Sequence, residues 1–210
     1  MAGQNNTVEL IGVYGDDLTH GLSAWTSTSR ELSQEKRDRL PKLLQMLGEE
    51  GHHSPYEKSM IHFLVTTDIA THIHLLKHRI GVSINGESAR YKELKDDKFY
   101  VPTDWDSEEQ AQYVAFLEDA LQKYHECLAR LVSKGVPRKR AKESARFYLP
   151  YGNQITADIS FNWRSFMHFQ GLRNSEHAQL EVRELAQEML NQVRGTGKFS
   201  LSLKAFGYGE

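Results

Sequence analysis

MIHFLVTTDIATHIHLLKHR, residues 60–79, carries the two periodicities on which the fold turns. Met60 to Thr66 is a short run dominated by apolar residues, and it reads as a mostly buried strand. Asp68 is placed to cap a helix running towards His78, with Ile69, Ile73 and Leu76 facing inward. Upstream lies a turn-like segment, HHSPYEK (His52 to Lys58). Before it, Glu31 to Glu50 reads as a helix with Leu40, Leu43, Leu44 and Leu47 on one stripe and Gly51 as its stop. Pro41 inside that stretch argues for a late start. Thr7 to Val13 opens the chain as a strand.

Downstream, Gly81 to Lys98 is irregular, polar and rich in groups able to bind ligands, and reads as a long functional loop. Ser107 and Gln110 form a capping box for the clearest helix in the chain, whose face is Tyr113, Phe116, Leu117, Ala120, Tyr124, Cys127, Leu128 and Leu131. It stops near Gly135, and Pro137 opens another helix through about Tyr148. Asn153 to Phe161 alternates as a strand; a helix follows from Asn162, and another spans Ser175 to Arg194 on the stripe Ala178, Val182, Leu185, Met189 and Val193. Strands interleaved with helices, without a regular βαβ rhythm, give an α+β fold. No internal repeat or splitting linker interrupts it, so residues 1–210 are expected to form one domain.

The composition narrows the function classes. The chain has 210 residues, 39% hydrophobic and 26% charged, which excludes wholesale disorder. No apolar run approaches bilayer length, and no signal peptide is expected from MAGQNNTVEL. A single cysteine, Cys127, permits no intrachain disulfide and fits a reducing cytoplasm. The net charge of -2 argues against a protein that coats nucleic acid. No GxGxxG, Walker A or GxSxG element is present, so a nucleotide cofactor is not held by those folds and no serine elbow exists.

Several stretches can carry chemistry. KHRIGVSINGESARY (Lys77 to Tyr91) sets three cationic or potentially cationic groups before hydroxyls and amides, a set able to hold phosphates; the other reading is a solvated helix end. NWRSFMHFQGLRNSEHAQ places Arg164, His168 and Arg173 among Trp163, Phe166 and Phe169, either as a flat-ligand site or as plain core. His52, His53, Ser54 and Glu57, with the His74/His78 i,i+4 pair, raise a metal site in principle. No HExxH or CxxC supports one, and none is expected. PRKRAKESAR (Pro137 to Arg146) is either a nucleic-acid contact or a solvated basic face. Cys127 sits on an apolar stripe with nothing near it to form a thiolate.

Taken together, these blocks resemble the flavin-dependent thymidylate synthases, the ThyX family. That signature is RHR, a spacer and Ser within a longer RHRxxSxNxxSxRY pattern. Here it stands as Lys77-His78-Arg79, eight residues, then Ser88, with Asn85, Arg90 and Tyr91 in place. GHHSPYEK is similar to the family's GHxTPxEH turn, and SARFYLP, NWRSFMHF and LRNSEHAQ follow in the expected order. The resemblance implies a central, mainly antiparallel sheet flanked by helices. It implies conversion of dUMP to dTMP, with methylenetetrahydrofolate supplying the carbon, NADPH the electrons and a bound FAD the relay. It also implies a homotetramer with sites between subunits.

Residue by residue, the resemblance assigns Ser54, Glu57, Lys77, His78, Arg79, Asn85, Asn162, Arg164, His168 and His177 to the flavin. It assigns His74, Glu87, Ser88, Ala89, Arg90 and Arg146 to the surroundings of dUMP, and Arg173 to the uracil, where a guanidinium favours ionisation at N3. Four departures fall in these blocks. Lys77 replaces the first signature Arg, turning a planar fork into a point charge. The spacer from Arg79 to Ser88 is one residue longer than is common, and His74 and His168 stand where Gln and Asn are common. Two rival expectations remain: a related flavoenzyme making a hydroxymethylated nucleotide, and a non-enzymatic RNA-binding module using Pro137 to Arg146.

Overall fold

The computed structural model describes residues 5–88 and 98–209. Strands β1 (Thr7–Tyr14), β2 (Met60–Asp68), β3 (Val82–Gly86) and β4 (Gln154–Phe161) form one antiparallel sheet in the order β1-β2-β4-β3. The helices among the described residues are α1 (Asp17–Trp25), α2 (Gln34–Glu49), α3 (Ile69–Leu75), α4 (Ser107–Ser133), α5 (Arg138–Ala145), α6 (Trp163–Arg173), α7 (Leu180–Gly195) and α8 (Ser200–Ala205). Short 3-10 helices cover Ser54–Lys58 and Arg146–Tyr148. The fold is α+β. The chain groups into two compact units.

The first unit takes the described parts of Met1–Thr7, Val65–Leu76 and Asn85–Ala157. Its core joins Tyr124 and Leu128 of α4 to Ala141 and Ala145 of α5, with half-buried Cys127 packed against them as a small hydrophobe. α4 is capped by Asp106, whose carboxylate accepts from the N–H groups of Glu108 and Glu109 at 2.9 and 3.0 Å. The cap expected at Ser107 therefore falls one residue earlier, on Asp106, and no reciprocal box forms: a carboxylate is a stronger acceptor than a hydroxyl.

α3 buries Thr71, His72 and Leu75, whereas Ile73 and Leu76 are exposed. The inward stripe expected at Ile69, Ile73 and Leu76 is thus rotated. Polar anchors set the phase of this two-turn helix. Asp68 caps Thr71 N at 2.8 Å and is itself held by Asn6 at 2.9 and 3.1 Å. The Ile69 N–H is shared between the Tyr151 and Asn153 carbonyls. With so few apolar positions on a short helix, the cap outweighs the stripe.

The second unit takes Val8–Leu64, Lys77–Ile84 and the described part of Asp158–Glu210. Its core is aromatic: Tyr56, Phe63, Phe161, Trp163, Phe166, Phe169 and Phe199 have essentially no exposure. Burying one such ring stabilises by roughly 1.5–3 kcal/mol, so this cluster dominates the unit. α2 runs unbroken through Pro41 from Gln34, so the late start expected from that proline does not occur. Leu44 and Leu47 are buried, and Gly48 lets α2 approach α8: a Cβ there would lie 2.7 Å from the Ala205 carbonyl oxygen. α1 and α8 have no clear sequence stripe, being joined instead by polar contacts. Asp17 accepts from the Leu201 and Ser202 N–H groups at 2.8 Å, and buried His20 lies 2.8 Å from both Ser202 Oγ and Ser59 Oγ.

Two further boundaries differ from the sequence reading. The stretch read as a loop from Gly81 begins as edge strand β3, which keeps one polar row towards solvent and so lacks an apolar signature. α7 starts at Leu180 rather than Ser175, while its stripe Val182, Leu185, Met189 and Val193 is buried as read.

Candidate functional site

α6 organises the residues of the second unit. Its N-cap is Asn162, whose side-chain oxygen accepts from Ser165 N at 2.9 Å. The same end holds the Lys77–Ile84 segment by main-chain bonds. Asn162 N donates to the Gly81 carbonyl at 3.0 Å, and Ser165 Oγ donates to the Ile80 carbonyl at 2.6 Å. Gly81 has φ +64, and a Cβ there would strike Asn162 Nδ2 and Ser165 Oγ, so only glycine fits this junction.

At the C-terminal end of α6, Arg173 Nε donates to His78 Nε2 at 3.0 Å. An arginine only donates, so Nε2 carries the lone pair and the imidazole is neutral with its proton on Nδ1. His78 is 9% exposed, set edge-on to Phe169 at 5.0 Å and facing His168 at 6.2 Å. Lys77 and Arg79, on either side of it, are exposed.

Along the outer side of α6, Arg164, His168 and Leu172 recur at helical spacing and line a cleft of about 570 Å³. Glu57 from the Ser54–Lys58 helix reaches the Arg164 guanidinium at 2.7 Å. The pair is substantially solvated, so it adds at most ~1 kcal/mol to stability and serves to fix two charges at the cleft. Ile80, Met167, Leu172 and Phe206 supply apolar wall, and Asn162 and Ser165 line the same space. Such a cleft takes a flat ring against its apolar side and a polar or phosphate-bearing chain against Arg164.

The other expected flavin residues fall elsewhere. Ser54 lines a second cleft of about 710 Å³ with Arg30, His52 and Lys58, while His53 belongs to the first. His177 is exposed in the turn after α6 and does not line the first cleft.

In the first unit, Glu87 is half-buried and doubly tied to Thr156: its N–H donates to the Thr156 carbonyl at 2.8 Å, and its Oε2 accepts from Thr156 N at 3.2 Å. Ser88 and His74 are half-buried, Asn85 is exposed on β3, and Arg146 is exposed at the start of the Arg146–Tyr148 helix. Ala89 and Arg90 lie outside the described residues. The sequence reading missed His72. It is 8% exposed, its Nδ1 has no hydrogen-bond partner among the described residues, and burial pushes its pKa down. It packs over Gly86, where a Cβ would lie 3.7 Å from its Cε1. The one available signal was its place three residues after the Ile69 helix start, on the side that Asp68 turns inward.

The family described as thymidylate synthase complementing protein matches residues 10–196. A flavin-dependent thymidylate synthase of Kosmotoga olearia is 31% identical over 194 residues, covering 85% of this chain and 81% of the relative. One from Pseudothermotoga lettingae is 33% identical over 186 residues, covering 85% and 80%. Among solved structures, the UMP/dUMP methylase PolB from Streptomyces cacaoi bound with 5-Br dUMP superposes with TM-score 0.79 at 28% identity, covering 99% of this chain and 97% of that one. The same enzyme bound with 5-Br UMP gives TM-score 0.78 at 27% identity.

Proposed function

The chain belongs to the thymidylate synthase complementing protein family, and from that premise we propose that it is a flavin-dependent thymidylate synthase converting dUMP to dTMP. The observation that carries the reading is the cleft along α6, where a fixed Arg164–Glu57 pair faces apolar wall. This donor set suits FAD. Arg164 would hold phosphate or ribose oxygens, and Ile80, Met167 and Leu172 would lie against a ring. Lys77, His78, Arg79, Asn85, Asn162, His168 and His177 complete the proposed flavin contacts, with Ser54 meeting it from the second cleft. Bound flavin supplies the electrons that turn a transferred one-carbon unit into a methyl group.

The protein's own share is recognition and charge. Glu87, Ser88, Ala89, Arg90, His74 and Arg146 form the proposed nucleotide shell, arginines meeting the phosphate. Arg173 faces the uracil, where its guanidinium stabilises negative charge at N3 and so makes C5 a better carbon nucleophile. NADPH and methylenetetrahydrofolate are the proposed co-substrates. We also propose that residues 1–210 act as one domain, that the enzyme is a homotetramer with shared sites, and that it works in the cytoplasm. No helix among the described residues is long and apolar enough to cross a membrane.

The experiment is anaerobic NADPH oxidation by FAD-loaded protein, with and without dUMP, followed by mass analysis of the nucleotide. Flavin bleaching accelerated by dUMP, with a methylated product, is the expected result. A hydroxymethyl product assigns the related chemistry instead, and failure to retain FAD removes the reading altogether. Because PolB is named for UMP as well as dUMP, a second reading is that the ribonucleotide is also accepted. Running UMP in parallel decides it.

A further inference from the structure

We propose that His78 is the positioning residue for Arg173, an inference that rests on the reading of Arg173 as the group facing the pyrimidine. A guanidinium has five N–H donors in one plane. With Nε–H committed to His78 Nε2 at 3.0 Å, rotation about the last side-chain bonds is fixed, and the Nη amino groups are the donors left for a ligand. The acceptor is itself immobilised. His78 is 9% exposed, and its ring abuts Phe169 edge-on at 5.0 Å, from the same helix that ends in Arg173. The main chain just beyond His78 is tied to the other end of α6 through Ile80 and Gly81. Helix and segment thus hold the donor and acceptor from two sides.

The arrangement also dictates the imidazole's state. Nε2 accepts only if the proton is on Nδ1, so His78 meets a cation without becoming one. A guanidinium pointed in advance loses less entropy when the nucleotide docks, and its charge is in place where anionic character grows.

The test is a double-mutant cycle read by dUMP binding to FAD-loaded protein, together with steady-state kinetics. His78→Phe keeps a ring against Phe169 but removes the acceptor; His78→Gln supplies an acceptor without the ring. In otherwise wild-type protein, His78→Phe is expected to raise the dUMP Kd and KM roughly tenfold or more, the scale of a lost hydrogen bond to a charged group. His78→Gln should recover most of that loss. In an Arg173→Ala background, His78→Phe should raise the dUMP Kd of protein that retains FAD no further. Nitrogen NMR on histidine-labelled protein without ligand should show His78 as the Nδ1–H form. Equal losses in both backgrounds, no rescue by Gln, or an Nε2–H imidazole overturns the proposal. Wild-type protein that retains FAD yet does not bind dUMP overturns the functional reading, and this inference with it.

Discussion

His20 illustrates how one buried side chain sets a pH limit. Its ring has no solvent exposure and sits between Ser202 and Ser59, and burial lowers its pKa from 6.5 to about 4. The folded value lies below the unfolded one, so the unfolded chain binds the extra proton first. Stability from neutral His20 is therefore full above about pH 6.5 and is lost as pH falls towards about 4, a swing of about 3 kcal/mol. His72, also lowered by burial, acts in the same direction; Asp17, raised by burial, acts oppositely over the carboxylate range. Urea midpoints should drop between about pH 7 and about pH 4.5. The gap between wild type and His20→Gln should narrow over that range, since protonation removes what the substitution removes. A gap independent of pH would mean that His20 titrates normally.

At the scale of elements, legibility followed apolar surface. α4 and α7 were readable because a long stripe settles the rotation of a long helix, although Phe116, read on the α4 face, is 53% exposed and Ala178, read on the α7 stripe, precedes that helix; β2 and β4 were readable because alternation or an apolar run does the same for a strand. α1, α8 and the rotation of α3 were not, because polar anchors far apart in sequence fix them: Asp17 to Ser202, and Asn6 to Asp68. The candidate site was readable as residue types, since Glu57, Asn162, Arg164 and His168 do meet at one cleft. The Arg173–His78 bond was not, because it joins positions 95 apart through a turn that only Gly81 allows. Pro41 shows pattern against packing. An interior proline costs about 3 kcal/mol, yet Leu44 and Leu47 keep α2 intact. Pro41 is exposed, so Pro41→Ala should stabilise by ~1–3 kcal/mol, seen as a higher melting temperature with turnover unchanged. A lower melting temperature would mean that the proline sets a bend that the packing of α2 requires.

For the whole molecule, large apolar side chains stand uncovered on each unit: Phe147 at 84% and Tyr151 at 67% on the first, Ile80 at 89% and Tyr14 at 70% on the second. Assembly of several copies, as proposed, is one way of covering side chains of this kind. Light scattering should return about four times the 24.1 kDa chain mass. If sites are shared, Arg146→Ala and Arg164→Ala chains, each inactive alone, should regain turnover when co-expressed. Mixed tetramers that stay inactive would place both arginines in one chain's site. The Lys77–Ile84 segment divides its work between main chain and side chains. Its junction to α6 runs through the buried ring of His78 and the carbonyl oxygens of Ile80 and Gly81, while the side chains of Lys77, Arg79 and Ile80 are exposed. A strip held in this way separates scaffold from lettering. Natural or directed evolution can rewrite these three chemical groups without renegotiating the fold, and Lys77, standing in the place of the first arginine of the RHR signature, is the kind of change such a strip absorbs.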